Sequence, residues 1–295
     1  MRKSTYILSF IMAMAASVCT AQVDIAKADN LFNTNSNINE CLTYLESILP
    51  QAASGQEKAE VLWRMSRACL IKGQNAESKE QKREIFGKGI SYAQDAIKED
   101  PKNPECYMWH SGNVGRECQT RNFTEQAKKL SVIMDDLTMI LDKMKKTDYS
   151  SAWQAMAEIY YNHPFKSNDD AINFARKAVM CIPNGELRIS TYTLLAKLLY
   201  ERGMDASKRN AEISSNSGKF KASYSSVIDK YAYFDGSLGN TYKPVWSEKT
   251  LGEMSDKEEA KAIAAYAKAL YSKAGSRSGF DKADYNELTA LSKQW

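Results

Sequence analysis

The chain has 295 residues, 43% hydrophobic and 26% charged, with 6 Pro and 14 Gly. That suits one long globular domain or two ordinary ones, and it excludes collagen, low-complexity disorder and a polytopic membrane protein. Its 40 basic residues stand against 36 acidic ones for a net charge of +4, which, without a concentrated basic face, gives no electrostatic basis for nucleic acid as a partner.

Residues 1–21 read as a secretory signal peptide: Arg2 and Lys3, an apolar stretch from Tyr6 to Val18, then Cys19-Thr20-Ala21. The run is shorter than the roughly 20 residues a membrane-crossing helix needs. The expectation is cleavage after Ala21, a mature chain from Gln22 with no membrane span, and a periplasmic or secreted location. Lipidation at Cys19, after Ala16-Ser17-Val18, is the alternative, and the bulky Val18 argues against it. The other cysteines, Cys41, Cys69, Cys106, Cys118 and Cys181, are odd in number and include no C-x-x-C, so zinc-ribbon and thioredoxin-like readings lack support. Cys69 and Cys181 read as small buried hydrophobes, while Cys106 and Cys118 could pair if their helices turn back on each other.

Asp24 to Pro50 predicts a helix pair with its turn at Asn37–Asn39 and Leu42, Leu45 and Leu49 inward. From Ala59 to Gly203 two spacings alternate. One is large-x-x-large-small-x-x-large: Leu62, Met65, Ser66 and Cys69; Trp153, Met156, Ala157 and Tyr160; Tyr192, Leu195, Ala196 and Leu199. The other places small residues four and three apart before a proline: Gly89, Ala93, Ala96 and Pro101, then Ala171, Ala175, Ala178 and Pro183. Residues three and four apart share a helix face, so a small residue among large ones lets a second helix dock closely. Successive pairs of this kind stack into a solenoid. Thr124 to Lys146 predicts a long amphipathic helix starting after Asn122, with Leu130, Ile133, Met134, Leu137, Ile140, Leu141 and Met144 inward.

The segment AWQAMAEIY, residues 152–160, resembles the leading helix of a tetratricopeptide repeat (TPR). A closer likeness spans residues 60 to about 179, where EVLWRMSRA, GISYAQDAIKEDPKNPE and YMWHSGNVGR resemble the regulator of microtubule dynamics group and its secreted bacterial relatives. The resemblance implies an all-α, TPR-like helix-turn-helix solenoid over 22–203, and binding in place of catalysis. The sequence departs from the repeat pattern at Ala93 and Ala175, where an aromatic is usual. It departs again near Tyr107 and in longer loops at Gln74–Gln81 and His163–Asp169.

Residues 204–255 are rich in Ser, Gly, Asn and Lys and read as irregular, either a linker or an ordered cap. Tyr231, Tyr233, Phe234, Tyr242 and Trp246 favour packing against the solenoid. A helical hairpin closes the chain over 256–295: Asp256 to Ala274, started by Ser255-Asp256, then a turn at Gly275–Gly279, then Asp281 to Trp295.

An enzyme reading has little to rest on. His110 and His163 are the only histidines, outside any zinc or nucleophile motif, and His110 reads as a core residue. The adjacent acids Asp135-Asp136, Asp169-Asp170 and Glu258-Glu259 diverge on a helix and read as solvated faces or helix starts. No catalytic residue, metal or cofactor is predicted. In a TPR stack the leading helices line the concave side. By that resemblance the binding face comprises Trp63 and Arg67, then Met108 and Arg116, then Gln154, Glu158, Tyr161 and Asn162, and finally Lys197 and Tyr200. The expected function is a secreted or periplasmic scaffold binding another envelope protein or peptide there. The alternative is an accessory transporter subunit holding a substrate-binding protein or an apolar small molecule.

Overall fold

A computed structural model of the protein describes residues 23–34, 38–162 and 166–295. The leader readings at Cys19, Ala21 and Gln22, and His163, lie outside the described residues. Among those residues the chain is helical and has no strand. The first pairs are α1 (Ile25–Thr34) with α2 (Ile38–Ile48), α3 (Gln56–Gln74) with α4 (Lys79–Glu99), α5 (Pro104–Cys118) with α6 (Phe123–Thr138), and α7 (Ser150–Asn162) with α8 (Asn168–Met180). Next come α9 (Ile189–Arg202), α10 (Ala206–Phe220), two short helices α11 (Val227–Tyr231) and α12 (Phe234–Leu238), and the closing α13 (Asp256–Lys273) and α14 (Gly279–Ser292).

Several helices begin where the sequence offers a cap. The Ser78 and Ser255 hydroxyls accept from the backbone three residues on while Gln81 and Glu258 bond back, and Asn103 precedes Pro104 at the first position of α5. Gly203, at φ +66°, ends α9 in the left-handed conformation that a side chain disfavours.

The repeat positions form the contact surfaces. Met65, Trp153, Met156 and Leu195 are buried, and so are Ala93, Ala96, Ala171, Ala175 and Ala178 opposite them. Gly89 permits a close approach: a Cβ there would lie 2.3 Å from Asn113 Oδ1, so any side chain would displace the Asn113 amide or push α4 away from α5. Neighbours pack in succession from α1 to α6 and again from α7 through α8 onto α9, with the succession interrupted between α6 and α7; the main partner of α9 is α13, and α10–α12 are an insertion within that last pair.

Several expectations change. The stretch 204–255 is far from irregular: it contains α10, begun by the Asp205 side chain accepting from Lys208 N. Its aromatics stack into the molecule, Tyr231 on Trp153 at 5.0 Å and on Phe234 at 5.6 Å. Asn39 belongs to α2 and not to the preceding turn, and Ile48, more than Leu49, completes the buried stripe. Cys106 and Cys118 are free thiols at opposite ends of α5. Twelve residues of helix separate their Cα atoms by about 18 Å, far beyond the roughly 7 Å a disulfide spans. Burial pushes the thiols of Cys69 and Cys106 up to about 12. Under native conditions at pH 8 both should resist a thiol reagent that modifies the half-buried Cys118 and Cys181, with peptide mapping as the readout; equal rates at all four would contradict this packing.

Asp169 and Asp170 open α8 and Glu258 opens α13, as helix-start acids should, but Asp136 and Glu259, one from each of the other pairs, depart from the solvated reading. Asp136 is buried, with Oδ2 2.7 Å from His110 Nδ1, so His110 is a core histidine with a carboxylate partner. Glu259 is fully buried and chelated: Arg176 Nη1 and Nη2 donate to its two oxygens at 2.5 and 2.9 Å, Arg209 donates to Oε2, and Trp246 Nε1 donates to Oε1 at 3.1 Å. Arg176 also donates to Asp235 at 2.6 Å, and Arg202 reaches Asp256 at 2.7 and 2.9 Å. This network ties α8, α9, α10, α12 and α13 together through charge.

Candidate functional site

A cleft of about 1030 Å³ opens between α3, α5 and α6 on one side and α7 with the start of α9 on the other. Helical periodicity sets its walls. Trp63, Arg67 and Leu70 follow one face of α3, Met108, Gly112 and Gly115 one face of α5 continued by Gln119 at its C-cap, and Gln154, Glu158 and Asn162 one face of α7. Glycines at 112 and 115 leave the α5 wall low; a Cβ at Gly112 would lie 2.9 Å from Leu70 Cδ1. The sixth helix adds an apolar wall of Leu130 and Ile133.

Polar groups are held in place around this apolar surface. Glu105 joins the two sides: its Oε1 accepts from Tyr149 OH at 2.6 Å and its Oε2 from Trp109 Nε1 at 2.9 Å. Burial, reinforced by the Glu105 charge, raises the Tyr149 phenol well above its ordinary range, so it stays a donor. On α7, Gln154 donates to Glu158 at 3.1 Å and accepts from Thr191 Oγ1 at 2.6 Å. Arg188 Nη1 donates to Ser151 Oγ at 2.9 Å.

At the α3 end, Arg67 donates to Asp29 at 2.6 Å and lies 3.8 Å over the Phe32 ring, while Arg64 lies 4.0 Å over Trp63. Burial works against ionisation of Asp29, but the hydrogen bonds and charges of Arg64 and Arg67 hold its carboxyl below the usual range. Two buried donors here, Trp63 Nε1 and Arg67 Nε, have no acceptor. Arg116 is exposed and pairs with amides: its Nε and Nη2 lie 3.0 and 3.2 Å from the Gln74 oxygen when that amide is turned to accept.

Of the ten residues expected on the concave face, the cleft gathers Trp63, Arg67, Met108, Arg116, Gln154, Glu158 and Asn162. Tyr161, Lys197 and Tyr200 do not line it. Lys197 Nζ sits 4.8 Å over the Tyr161 ring, and Tyr200 is stacked at 5.0 Å on Trp295. The expectation missed Glu105, Trp109, Tyr149, Ile159 and Arg188, together with the α6 wall. A register that places only leading helices on the inner side has no position for α6. For Glu105 and Trp109 the signal was their spacing of four, which lets an indole N–H reach back one turn to a carboxylate.

Residues 24–139 are similar to the family model described as regulator of microtubule dynamics protein 1-3. The matched stretch runs from α1 to the end of α6 and therefore carries one wall of the cleft but not α7 or Arg188. No curated protein matches the chain. Among the described residues no helix is long and apolar enough to cross a membrane.

Proposed function

We propose that the chain is a periplasmic or secreted scaffold that holds a segment of another envelope protein in the cleft between α5, α6 and α7, by shape and contact and without chemistry of its own. The observation that carries this reading is the cleft itself: aromatic and aliphatic walls, with Arg67, Arg116 and Arg188 set among them. Aromatic and Arg side chains on a preformed concave surface are the groups that supply most affinity in peptide recognition. The family similarity of 24–139 supports a helical protein-binding scaffold, and the composition of residues 1–21 supports the compartment.

The test is in-cell crosslinking of the tagged full-length protein, with mass spectrometry of its captured partner and its own amino terminus. Replacing Met108 and Ile159 by Arg, on facing walls of the cleft, should lower partner recovery at least tenfold while far-UV circular dichroism stays unchanged. Unchanged recovery would remove the cleft assignment. Capture of no protein, together with an apolar small molecule in native mass spectra, would replace the scaffold by the transporter-subunit alternative.

A further inference from the structure

Each wall of the cleft carries one charge that no other described residue neutralises. Two of its three arginines have carboxylate partners: Arg67 Nη2 donates to Asp29 at 2.6 Å, and Arg188 Nε donates to Glu186 at 2.6 Å. Arg116, on α5, has none among the described residues. Its guanidinium is held by amide oxygens alone, that of Gln74 and, at 3.4 Å from Nη1, that of Gln119. On the facing wall Glu158 of α7 accepts from the Gln154 amide at 3.1 Å and meets no cation among the described residues. The remaining charge on the cleft, Glu105, has both oxygens committed to Tyr149 and Trp109. Arg116 and Glu158 do not pair with each other. Neutral amides fix both groups in place without cancelling their charge, so each keeps its full field for an occupant.

The amides beside these charges suit an extended chain. Gln126 donates to Arg121 O at 2.9 Å and Asn162 to Glu158 O at 2.7 Å, so each keeps its side-chain oxygen for an N–H from outside. Gln119, accepting from Arg116, keeps its amide nitrogen for a carbonyl. A helix has paired its own backbone groups and needs none of these, whereas an extended segment arrives with N–H and C=O unpaired. From Met108 to Gln119 the α5 wall is about 16 Å long at a rise of roughly 1.5 Å per residue, room for about five extended residues at roughly 3.3 Å each. Successive side chains of such a segment point to opposite sides. The residue that meets the α5 wall is therefore the sequence neighbour of the one that meets the α7 wall.

We infer that the cleft takes an extended partner segment in which an acidic and a basic residue are adjacent, the acid pairing with Arg116 and the base with Glu158, between apolar residues that lie on Met108, Ile133 and Ile159. The inference deepens the scaffold reading and rests on it. Exposed ion pairs add little affinity singly, but a like charge set against either wall is repelled. The two walls therefore select the partner more than they tighten its hold.

The probes are three fluorescent peptides titrated by anisotropy into the full chain. Leu-Val-Glu-Lys-Val-Thr-Leu has its charges adjacent. Leu-Glu-Val-Lys-Val-Thr-Leu has the same composition but sets them two apart, on one side of the strand. The third is the first with Gln in place of both charges. The first should bind at least fivefold more tightly than either of the others. The Arg116→Glu chain, with two acidic walls, should lose that preference and favour Lys-Lys at the central positions, and Glu158→Lys should favour Glu-Glu. Both residues are exposed, so the fold should be unaffected, as far-UV circular dichroism checks. Binding without preference among the three peptides, or a preference that both reversals leave in place, overturns this inference and leaves the scaffold reading standing. Tighter binding by the same residues stapled as a helix overturns it too. So does self-association of the chain that Arg116→Glu abolishes, since a second copy would then be the occupant. If no peptide binds while capture of a partner in cells still depends on Met108 and Ile159, this inference alone falls; if capture is independent of them, both fall.

Discussion

Glu259→Gln should lower the stability of the fold by about 3–5 kcal/mol, the cost of leaving buried charge without its partner. The neutral amide keeps the shape but removes the counter-charge that Arg176 and Arg209 share, both essentially inaccessible to solvent, and leaves Arg176 only Asp235 and Arg209 only the longer approach to Asp256 at 3.6 Å. Against a total stability of roughly 5–15 kcal/mol this is a large loss, read as a fall in melting temperature on the order of 10 °C. The control is Glu84→Gln, which removes an exposed, solvent-screened pair with Lys88 and should leave the melting temperature essentially unchanged. A melting temperature for Glu259→Gln within a degree of that control would sink the account. The same site sets an acid limit. Burial opposes ionisation of Glu259, yet Arg176 and Arg209 hold its carboxyl down to about 2, below the ordinary 4.5. A depressed folded-state pKa contributes stability that is complete above the unfolded value and is lost as pH falls through the folded one. The unaltered protein should therefore lose stability between pH 4.5 and 2 more steeply than Glu259→Gln does, as urea midpoints would record.

Trp153→Ala should cost a further about 3–5 kcal/mol, by a different mechanism. The indole is fully buried, stacks on Phe174 at 5.6 Å and on Tyr231 at 5.0 Å, and donates from Nε1 to Thr147 O at 3.0 Å. Its removal opens a cavity where three helices meet and orphans a carbonyl. Because Tyr231 belongs to the inserted segment, the deletion should also unseat α11 and α12, which Trp153→Phe largely preserves. Urea denaturation gives the first effect and protease cutting within 221–250 the second. A loss below 1 kcal/mol with no new cut would show that the ring does not join these elements.

The solenoid was readable because its determinants are local. Large residues at 153, 156 and 160 around Ala157, and small ones at 171, 175 and 178, encode contacts that any two neighbouring helices make at that spacing, and all are buried. Caps such as Ser255 with Glu258 are equally local. What escaped reading depends on partners distant in the chain. Glu259 looks like any helix-start acid until Arg176, 83 positions earlier, is brought to it. In α10, Arg209, Ile213 and Asn216 turn inward, but only Ile213 is apolar, so a periodicity search finds no stripe. The cleft divides in the same way. Residues such as Met108, Gln154 and Glu158 follow from the repeat register, while Tyr149 enters only because Glu105, 44 positions away, holds it there.

The stacking of Phe280 on Phe32 joins the last helix to the first. An open row of repeats is one-dimensional: each unit answers only to its neighbours, and folding can begin anywhere and spread. A row whose first and last described helices touch gains a contact of very long sequence separation, the kind that forms late and slows folding. During synthesis α1 precedes both partners of its Phe32 ring: Arg67 of α3 can reach it early, while Phe280 of α14 follows only after the intervening repeats. Until α14 docks, the Phe280 side of that ring stays open, a surface by which quality control could tell an undocked molecule from a docked one.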